Sequence, residues 1–590
     1  MSAKNMYSQQ HDSLDATFVV PNQEGPATRR SAELVMRLER LGSLHQSRLS
    51  FMRILTRRMQ VEKWSLSNRE FKVDSQGVGY ALYSMSGPER TYTLVAFAHD
   101  LPDELRSDRV IATAWDATFT LFDGIPTSGD IRRLSENVPV QEAGRVSGKE
   151  LTLSRANRSV RLWKHVVGEL AAGRQPDREL IDSVGYLMRT TAVYGSGKFG
   201  AADRSSIAAR AEFSAPFQAE MLTVYLIRTF VRDLVQHMAN CQGGPDTAIL
   251  DPVIASRLGI GNSTGLGMAP FLINHPQLFN NWITVREEAL MRIRNQRVAS
   301  DTERDRFINL LRRSQQSFNL WNSEHPIQVA KVTELKKNIA ALLDHVQSTN
   351  LLNDFPWNRL YLWTAENLDI ESQECVVSLM MEPYPELVDG LADCMSAPET
   401  GRLRIEGSMP LQTLAQLIEE HYSWALALDW QERNNCARAW YVSEEKLEPR
   451  LGERFEEPIA DFEQPLAPAR DIALLYQAIT QADGTDSTAE LLIRNPQHRH
   501  AVRRVQRIRQ APYAEIRDNT IGASLLPFDM LRCKLAFFGA IHFDPRSDRW
   551  LRICLYANAP YPEELSEGDA DCWIYPKEDS DSRASIFPCP

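Results

Sequence analysis

The sequence predicts an α+β protein in which a central helical region packs with antiparallel β-hairpins from the N-terminal, middle and C-terminal parts of the chain. Two kinds of apolar periodicity predict this class. Segments 79–85 and 91–99 alternate apolar and polar residues, as half-buried strands do. Segments 217–240 and 303–321 instead repeat apolar residues every three or four positions, as amphipathic or core helices do.

The order of these patterns along the chain gives the expected elements. One or two amphipathic helices over 31–61 precede a three-stranded meander, and a hairpin over 359–381 divides the central helices from the later ones. A last hairpin is expected near the C-terminus. The meander strands are predicted at 79–85, 91–99 and 109–122, the helices at 217–240, 281–298, 303–321, 334–347, 411–428, 469–481 and 499–510, and the last hairpin at 534–543 and 549–557.

The chain is long enough for several units, since domains usually have about 100–200 residues. "PYPE" occurs at 383–386 and at 560–563, each time after an apolar run, which leaves an internal pseudo-repeat open. The predicted divisions are a disordered N-terminal arm (1–29), a helix with an antiparallel sheet (30–145), a mainly helical region with glycine-rich loops (146–350), a β-hairpin segment (351–400), a second helical region (401–532), and a C-terminal β-hairpin with an acidic tail (533–590).

Composition and charge exclude several classes of protein. The 590 residues are 43% hydrophobic and carry a formal net charge of −11, which argues against bulk attraction to nucleic acid or to an anionic membrane. The sequence has no run of about 18 apolar residues that could span a membrane. The polar opening lacks the apolar region of a secretory signal, and the eight cysteines have no C-x-x-C spacing. We therefore expect a soluble cytoplasmic protein without a metal site.

The stretch "TTAVYGSGKFGAAD" (190–203) is the first candidate for chemistry. Its glycines allow backbone N–H groups to approach an anion, and Lys198 adds a positive charge, as Arg189 and Arg204 do on either side. A nucleotide-binding P-loop is excluded because Ala192 and Phe199 stand where that loop needs glycine and Ser/Thr. The stretch is thus either an anion-binding loop or a tight turn with a solvated lysine.

A second glycine-rich stretch lies at 259–270. Residues 261–267, G-N-S-T-G-L-G, resemble the nucleotide-binding turn of the short-chain dehydrogenases, and over these seven residues alone the resemblance implies dinucleotide binding. That family's turn opens a helix, which Pro270 would break after two residues. Two other interpretations are a flexible connector and a loop in which Asn262, Ser263 and Thr264 hold a small polar ligand.

Two further features carry ionisable groups. Asp116 interrupts the predicted strand 109–122, and His99 ends the strand before it, which suits an acid–base pair or a carboxylate on the wet face of the sheet. The predicted helix 499–510 is rich in arginine. In an acidic protein we expect a solvated or acid-paired face there, and nucleic-acid binding through 494–509 is the weaker alternative.

These features favour an enzyme that acts on a small anionic metabolite, a carboxylate or a phosphate, by acid–base chemistry of the lyase, isomerase or hydrolase type. Lys198, Tyr194 and Asp116 are the expected catalytic residues, and the expected substrate-binding residues are Arg189, Arg204, Asn262, Ser263 and Thr264. The alternatives are an NAD(P)- or flavin-dependent oxidoreductase with an atypical cofactor site and a non-catalytic oligomeric scaffold. The sequence identifies no cofactor. We expect a homo-oligomer with a small-molecule substrate and no membrane partner, and a nucleic-acid partner is disfavoured.

Overall fold

The structure is a computed structural model of the whole chain. It confirms the α+β class, with a large mixed sheet and a predominance of helix. The residues that it describes are 26–102, 114–136, 138, 147–191, 210–264, 276–321, 323, 325–396, 404–431, 440–442, 449–451, 464–466, 468–517, 527–540, 542–544, 551–565 and 573–575.

The central sheet has nine strands in the order β1-β2-β3-β4-β5-β6-β7-β12-β11. All neighbours are antiparallel except β6 and β7, which are parallel. Strands from the N-terminal and C-terminal parts of the chain therefore share one sheet. Its strands are β1 (Ser65–Val73), β2 (Gly79–Ser86), β3 (Thr91–Ala98), β4 (Ala117–Asp123), β5 (Glu150–Arg158), β6 (Tyr186–Thr191), β7 (Gly259–Thr264), β11 (His542–Asp544) and β12 (Leu551–Leu555), and a separate three-stranded sheet holds β8 (Trp440–Val442), β9 (Pro449–Leu451) and β10 (Gln464–Leu466).

Helices account for most of the remaining described residues. Their starts follow the usual rules: the side chain of Asp369 accepts the backbone N–H of Ser372, and Ser300 forms a capping box with Glu303. The α-helices longer than one turn within the described part of the chain are α1 (Phe51–Val61), α2 (Ser128–Ser135), α3 (Trp163–Ala171), α4 (Arg178–Val184), α5 (Gln218–Gly243), α6 (Pro252–Arg257), α7 (Pro276–Arg294), α8 (Asp301–Asn319), α9 (Pro326–Ser348), α10 (Pro356–Asn367), α11 (Ile370–Leu379), α12 (Leu411–Leu426), α13 (Pro468–Gln481), α14 (Thr488–Arg494), α15 (Arg499–Arg507) and α16 (Pro527–Cys533).

Helix α5 covers one face of the central sheet. It is apolar on most sides, and its Phe230 ring meets the rings of Phe119 in β4 and Tyr83 in β2 at centroid distances of 5.7 and 6.3 Å. Thr223 of α5 bonds to Thr152 of β5 through their hydroxyls at 2.7 Å. The sheet face that carries Phe119 and Thr152 is therefore the core face.

The opposite face of the sheet carries a smaller apolar cluster over β2, β3 and β4. Because strand residues alternate between faces, it holds the residues that point away from α5. The buried members of the cluster are Leu82, Val95, Phe97, Phe122 and Leu134.

A third apolar core lies within the later helices. Helices α12, α13, α14 and α15 surround it, and no residue of the sheet belongs to it within the described part of the chain. Its buried members include Leu414, Ile418, Leu475, Val502 and Val505. The described helices between residues 404 and 517 therefore form a helical unit with its own core.

Several predicted elements are wrong. Residues 359–381 are not a hairpin but the helices α10 and α11, so the predicted β-hairpin segment 351–400 is helical in its described part. Residues 534–540 begin with a π-helical turn (Lys534–Phe538) instead of a strand, and Gly539 with a φ of +91° ends that turn. The first "PYPE" follows a helix and the second follows a strand, so their surroundings give the pseudo-repeat no support.

The ends of the chain are described only in part. Residues 1–25 and 576–590 lie outside the described residues. The predicted arm 1–29 extends too far, because Ala27 is buried and exchanges hydrogen bonds of 2.8 and 2.7 Å with the Asn295 side chain. Among the helices of the described residues, none is long and apolar enough to cross a membrane.

Candidate functional site

The predicted site residues fall into three groups. Asp116, Arg189 and Asn262 are described and buried, at 0%, 6% and 6% exposure, beside β4, in β6 and in β7. Ser263 and Thr264 have a described backbone only. Tyr194, Lys198 and Arg204 lie outside the described residues.

The predicted glycine-rich loop at 259–264 is wrong, because these residues form strand β7. The strand pairs with β6 on one side and with β12 on the other. Dinucleotide turns of the kind that 261–267 resembles need a helix to begin within the motif, whereas here a strand continues through Thr264. The resemblance to the short-chain dehydrogenases therefore has no structural counterpart over 259–264.

Gly261 has a packing role instead. A Cβ at this position would lie 2.5 Å from the Tyr186 ring of the neighbouring strand β6. The ring occupies the space where a side chain would stand, so glycine is required for the close approach of the two strands.

We expect Gly261→Ala to destabilise the protein by about 1–3 kcal/mol, because the Tyr186 ring must move out of a packed core. Unfolding in urea measures the change. The matched control is Gly168→Ala in α3, where a Cβ meets nothing within 4 Å and where alanine adds up to about 1 kcal/mol of helix propensity. Equal stability of Gly261→Ala and the wild type would show that the ring contact does not require glycine.

A row of polar side chains crosses the sheet on the face opposite to α5. The backbone N–H of His99 donates to the backbone oxygen of Asp116 at 2.8 Å, and the N–H of Asp116 donates to Oδ1 of Asn157 at 2.9 Å. Asn157 is in turn the register partner of Arg189 in β6. The end of β3, the start of β4, β5 and β6 thus each contribute one polar residue to this row, which we call the Asp116 row.

A second row on the same face lies two residues further along the strands. Thr118 of β4 pairs with Arg155 of β5, which pairs with Thr191 of β6. Since residues two apart in a strand share a face, Arg155 lies beside Asn157, and Thr118 beside Asp116. The guanidinium of Arg155 also stacks over the buried Trp115 ring, 4.3 Å from its centroid. We call the Asp116 row, Thr118, Arg155 and Trp115 together the sheet site.

The sheet site contains several buried polar atoms whose hydrogen bonds are not made. Leaving such an atom unsatisfied costs about 1–3 kcal/mol, and native proteins contain few of them. Four of them belong to residues of the sheet site, and other such atoms are spread through the rest of the described structure. The four in the sheet site, which have no hydrogen-bond partner among the described residues, are Nε2 of His99, Nε1 of Trp115, Oγ1 of Thr118 and Nδ2 of Asn157.

Charged and titratable side chains belong to the sheet site and its border. Burial lowers the pKa of His99 to about 4 against the opposing effect of Asp116, so the imidazole is neutral at neutral pH. Asp116 accepts the backbone N–H of Arg158 at 2.9 Å, and its other oxygen lies 3.8 Å from Nε of the same arginine, which also lies 3.8 Å from Asp100. Arg155 and Arg189 add guanidinium groups on the face of the Asp116 row.

Asn262 extends the sheet site only indirectly. Its amide nitrogen lies 3.4 Å from the backbone oxygen of Thr190, where it donates a hydrogen bond across the parallel pair β6 and β7. The register partner of Arg189 in β7 is Gly261, and the register of this strand pair is irregular between Tyr186 and Arg189. The role of Asn262 in orienting a ligand stays a prediction.

Sequence reasoning missed Arg155, Asn157 and Thr118. Strand β5 has the sequence "ELTLSRANR". Its serine, arginine and asparagine are poor strand formers, so its alternation of residues between two faces did not indicate a strand. The available signal was the spacing of Arg155 and Asn157, which places both on one face of a strand.

A second buried polar cluster surrounds Glu382. Arg53 donates two hydrogen bonds to this carboxylate at 2.6 and 2.7 Å, and Nε2 of His45 lies 3.0 Å from it. Burial lowers the pKa of His45, so the neutral ring donates from Nε2 to Glu382 while Nδ1 accepts the hydroxyl of Tyr575. The carboxylate and both imidazole nitrogens are satisfied, which indicates a structural role for this Glu382 cluster.

Metal binding has no candidate ligand set within the described residues, where no group of three or more His, Cys, Asp or Glu side chains could hold an ion. Comparisons with protein-family models, curated proteins and solved structures gave no match for this chain.

Proposed function

We propose that the chain is an enzyme that binds a small anionic metabolite, a carboxylate or a phosphate, at the sheet site and acts on it by acid–base chemistry of the lyase, isomerase or hydrolase type. The observation that carries the proposal is that the sheet site combines Arg155 and Arg189 with hydrogen-bonding atoms that lack a partner among the described residues. Guanidinium groups match the geometry of carboxylates and phosphates, so these two arginines would bind the anion. The amide of Asn157 and the hydroxyl of Thr118 would orient it.

Asp116 is the proposed acid or base. It lies in the same row as Asn157 and Arg189, within reach of a ligand that they hold. The neighbouring His99 is neutral near pH 7, so it can donate or accept a hydrogen bond without bringing a positive charge to the site. The reaction would therefore use a carboxylate next to a bound anion, with the arginines stabilising negative charge that develops in the transition state.

The segment after β6 is proposed to complete the sheet site. Strand β6, which carries Arg189, ends at Thr191, so Tyr194 and Lys198 follow its end by three and seven residues. Lys198 and Arg204 would add positive charge, and Tyr194 a second proton donor. Ser263 and Thr264 stay proposed ligand contacts through the end of β7. Cytoplasmic location and a homo-oligomeric state are part of the same proposal.

Ligand-dependent thermal stability tests the proposal. We expect at least one compound from a panel of carboxylates, sugar phosphates, nucleotides, dinucleotides and flavins to raise the melting temperature of the wild type by several degrees at 100 times its Kd. The substitutions Arg155→Gln and Lys198→Ala should each weaken the binding of that compound about 10- to 100-fold, since hydrogen bonds to charged groups contribute about 1.5–3 kcal/mol to binding. Nucleotide cofactors in the panel separate this function from that of an oxidoreductase.

The matched control is Arg174→Gln, which removes an arginine whose side chain is 62% exposed and pairs with Glu169. This variant should retain the full ligand response. A wild type that responds to no compound, or a response that Arg155→Gln leaves intact, would contradict the assignment of the sheet site.

A further inference from the structure

Helix α15, in the helical unit 404–517, carries a strongly cationic surface on a chain whose net charge is −11. Between Glu490 and Glu515 the sequence contains six arginines and no acidic residue. The apolar side of the helix, with Val502 and Val505, is buried in the core of the unit. The charged side therefore faces outward in a fixed orientation.

Ion pairing divides the six arginines into two sets. Arg494 pairs with Asp486, Arg504 with Glu515 at 2.6 Å, and Arg509 lies 3.5 Å from Glu406. These three arginines are neutralised by the carboxylates of the same helical unit. The arginines for which no carboxylate lies within ion-pair distance, among the described residues, are Arg499, Arg503 and Arg507.

The second set has a regular spacing. Arg499, Arg503 and Arg507 stand four residues apart on α15, so they lie on one side of the helix on successive turns, along about 12 Å. Like charges at this spacing repel each other and disfavour the helix by a few tenths of a kcal/mol per pair. The set, which we call the α15 stripe, is thus a linear array of guanidinium groups held in place by the core beneath it.

We propose that the α15 stripe binds the phosphodiester backbone of a nucleic acid, independently of the sheet site and without reading base sequence. Guanidinium groups bind phosphates through paired N–H donors, and one helical turn is close to the distance between successive phosphates of a strand. A membrane surface fits less well, because an interfacial helix needs a free apolar face, and that of α15 is buried in the core of the unit.

The proposal is tested on the full chain with fluorescently labelled 20-residue oligonucleotides of single-stranded RNA, single-stranded DNA and duplex DNA. Anisotropy at 50 mM salt should show binding that weakens as salt rises, with a slope of log K against log salt of about −2 to −3 for three phosphates. The variant R499A/R503A/R507A should bind at least about 10-fold more weakly and with a shallower slope. Arg499 and Arg503 are exposed and Arg507 is half-buried, alanine preserves helix propensity at all three positions, and circular dichroism verifies the fold.

The charge-matched control R132A/R312A/K337A removes three exposed cations from α2, α8 and α9, and it should bind as the wild type does. Vesicles of phosphatidylserine and phosphatidylcholine serve as the competing surface. The proposal is overturned if the wild type binds no oligonucleotide at 50 mM salt, or if the two triple variants bind the oligonucleotides equally well. It is also overturned if the wild type binds only the vesicles and R499A/R503A/R507A is the only variant that loses vesicle binding.

Discussion

Replacing Glu382 by alanine will destabilise the protein by about 3–5 kcal/mol, the largest effect that we expect from a single substitution. The carboxylate is buried, and it receives both terminal nitrogens of Arg53, whose side chain is also fully buried. The charge of Arg53 and the hydrogen bonds from Arg53 and His45 outweigh the effect of burial and keep the pKa of Glu382 well below its ordinary value. Without the carboxylate, the buried Arg53 guanidinium loses this ion-pair partner, and chemical unfolding at pH 7 measures the loss.

Two further variants serve as controls. Glu382→Gln keeps the shape of the side chain and removes its charge, so it separates the loss of charge from the loss of volume and should cause most of the destabilisation seen for Glu382→Ala. Glu386→Ala, four residues away and exposed, should change the stability by less than about 0.5 kcal/mol. If Glu382→Gln were as stable as the wild type, the Arg53 ion pair would contribute nothing net to the fold.

The sequence predicts those elements whose apolar residues reflect burial. Strands β2, β3 and β4 are rich in apolar residues because both of their faces are largely buried, and α5 is apolar on most sides because it is a core helix. Residues 359–381 mislead because aromatic and β-branched side chains are good strand formers. Pro356 at the first turn of α10 and the capping side chain of Asp369 before α11 were the signals in the sequence for the starts of these two helices.

The sheet site was predictable only in part. Asp116 and Arg189 stand out as charges within apolar runs, and the structure places them in one row across β4, β5 and β6. Asn157 joins them through strand register, and register depends on long-range pairing that no local pattern specifies. Cross-strand neighbours that are 41 and 32 residues apart, as Asn157 is from Asp116 and Arg189, have no local signature in the sequence.

The Glu382 cluster was not predicted at all. His45, Arg48 and Arg53 lie in a segment that reads as an ordinary amphipathic helix, yet all three are buried. Their carboxylate partners Glu382 and Asp389 are more than 300 residues away in the sequence. Charged residues at apparent surface positions gave no indication that their side chains would be buried.

Lowering the pH will remove the part of the free energy of unfolding that the ionised Glu374 carboxylate contributes. Burial alone would raise the pKa of this carboxyl, but Arg30, Arg286 and Arg40 lower it from an ordinary value of 4.5 to about 2. Since the folded pKa lies below the unfolded one, the stabilisation is complete above about pH 4.5 and is lost as the pH falls towards 2. Urea unfolding between pH 6 and pH 3 should show that Glu374 accounts for a loss of about 2 kcal/mol.

The variant Glu374→Gln isolates this contribution because it cannot titrate. At pH 6 it should be less stable than the wild type, since Arg30 loses one of its two buried carboxylate partners while Glu287 remains. As the pH falls to 3 the wild type loses the stabilisation from Glu374 and the variant does not, so the difference between the two should narrow by about 2 kcal/mol. Parallel stability curves over this range would show that Glu374 keeps an ordinary pKa in the folded protein, and that the three arginines do not act on it as their positions imply.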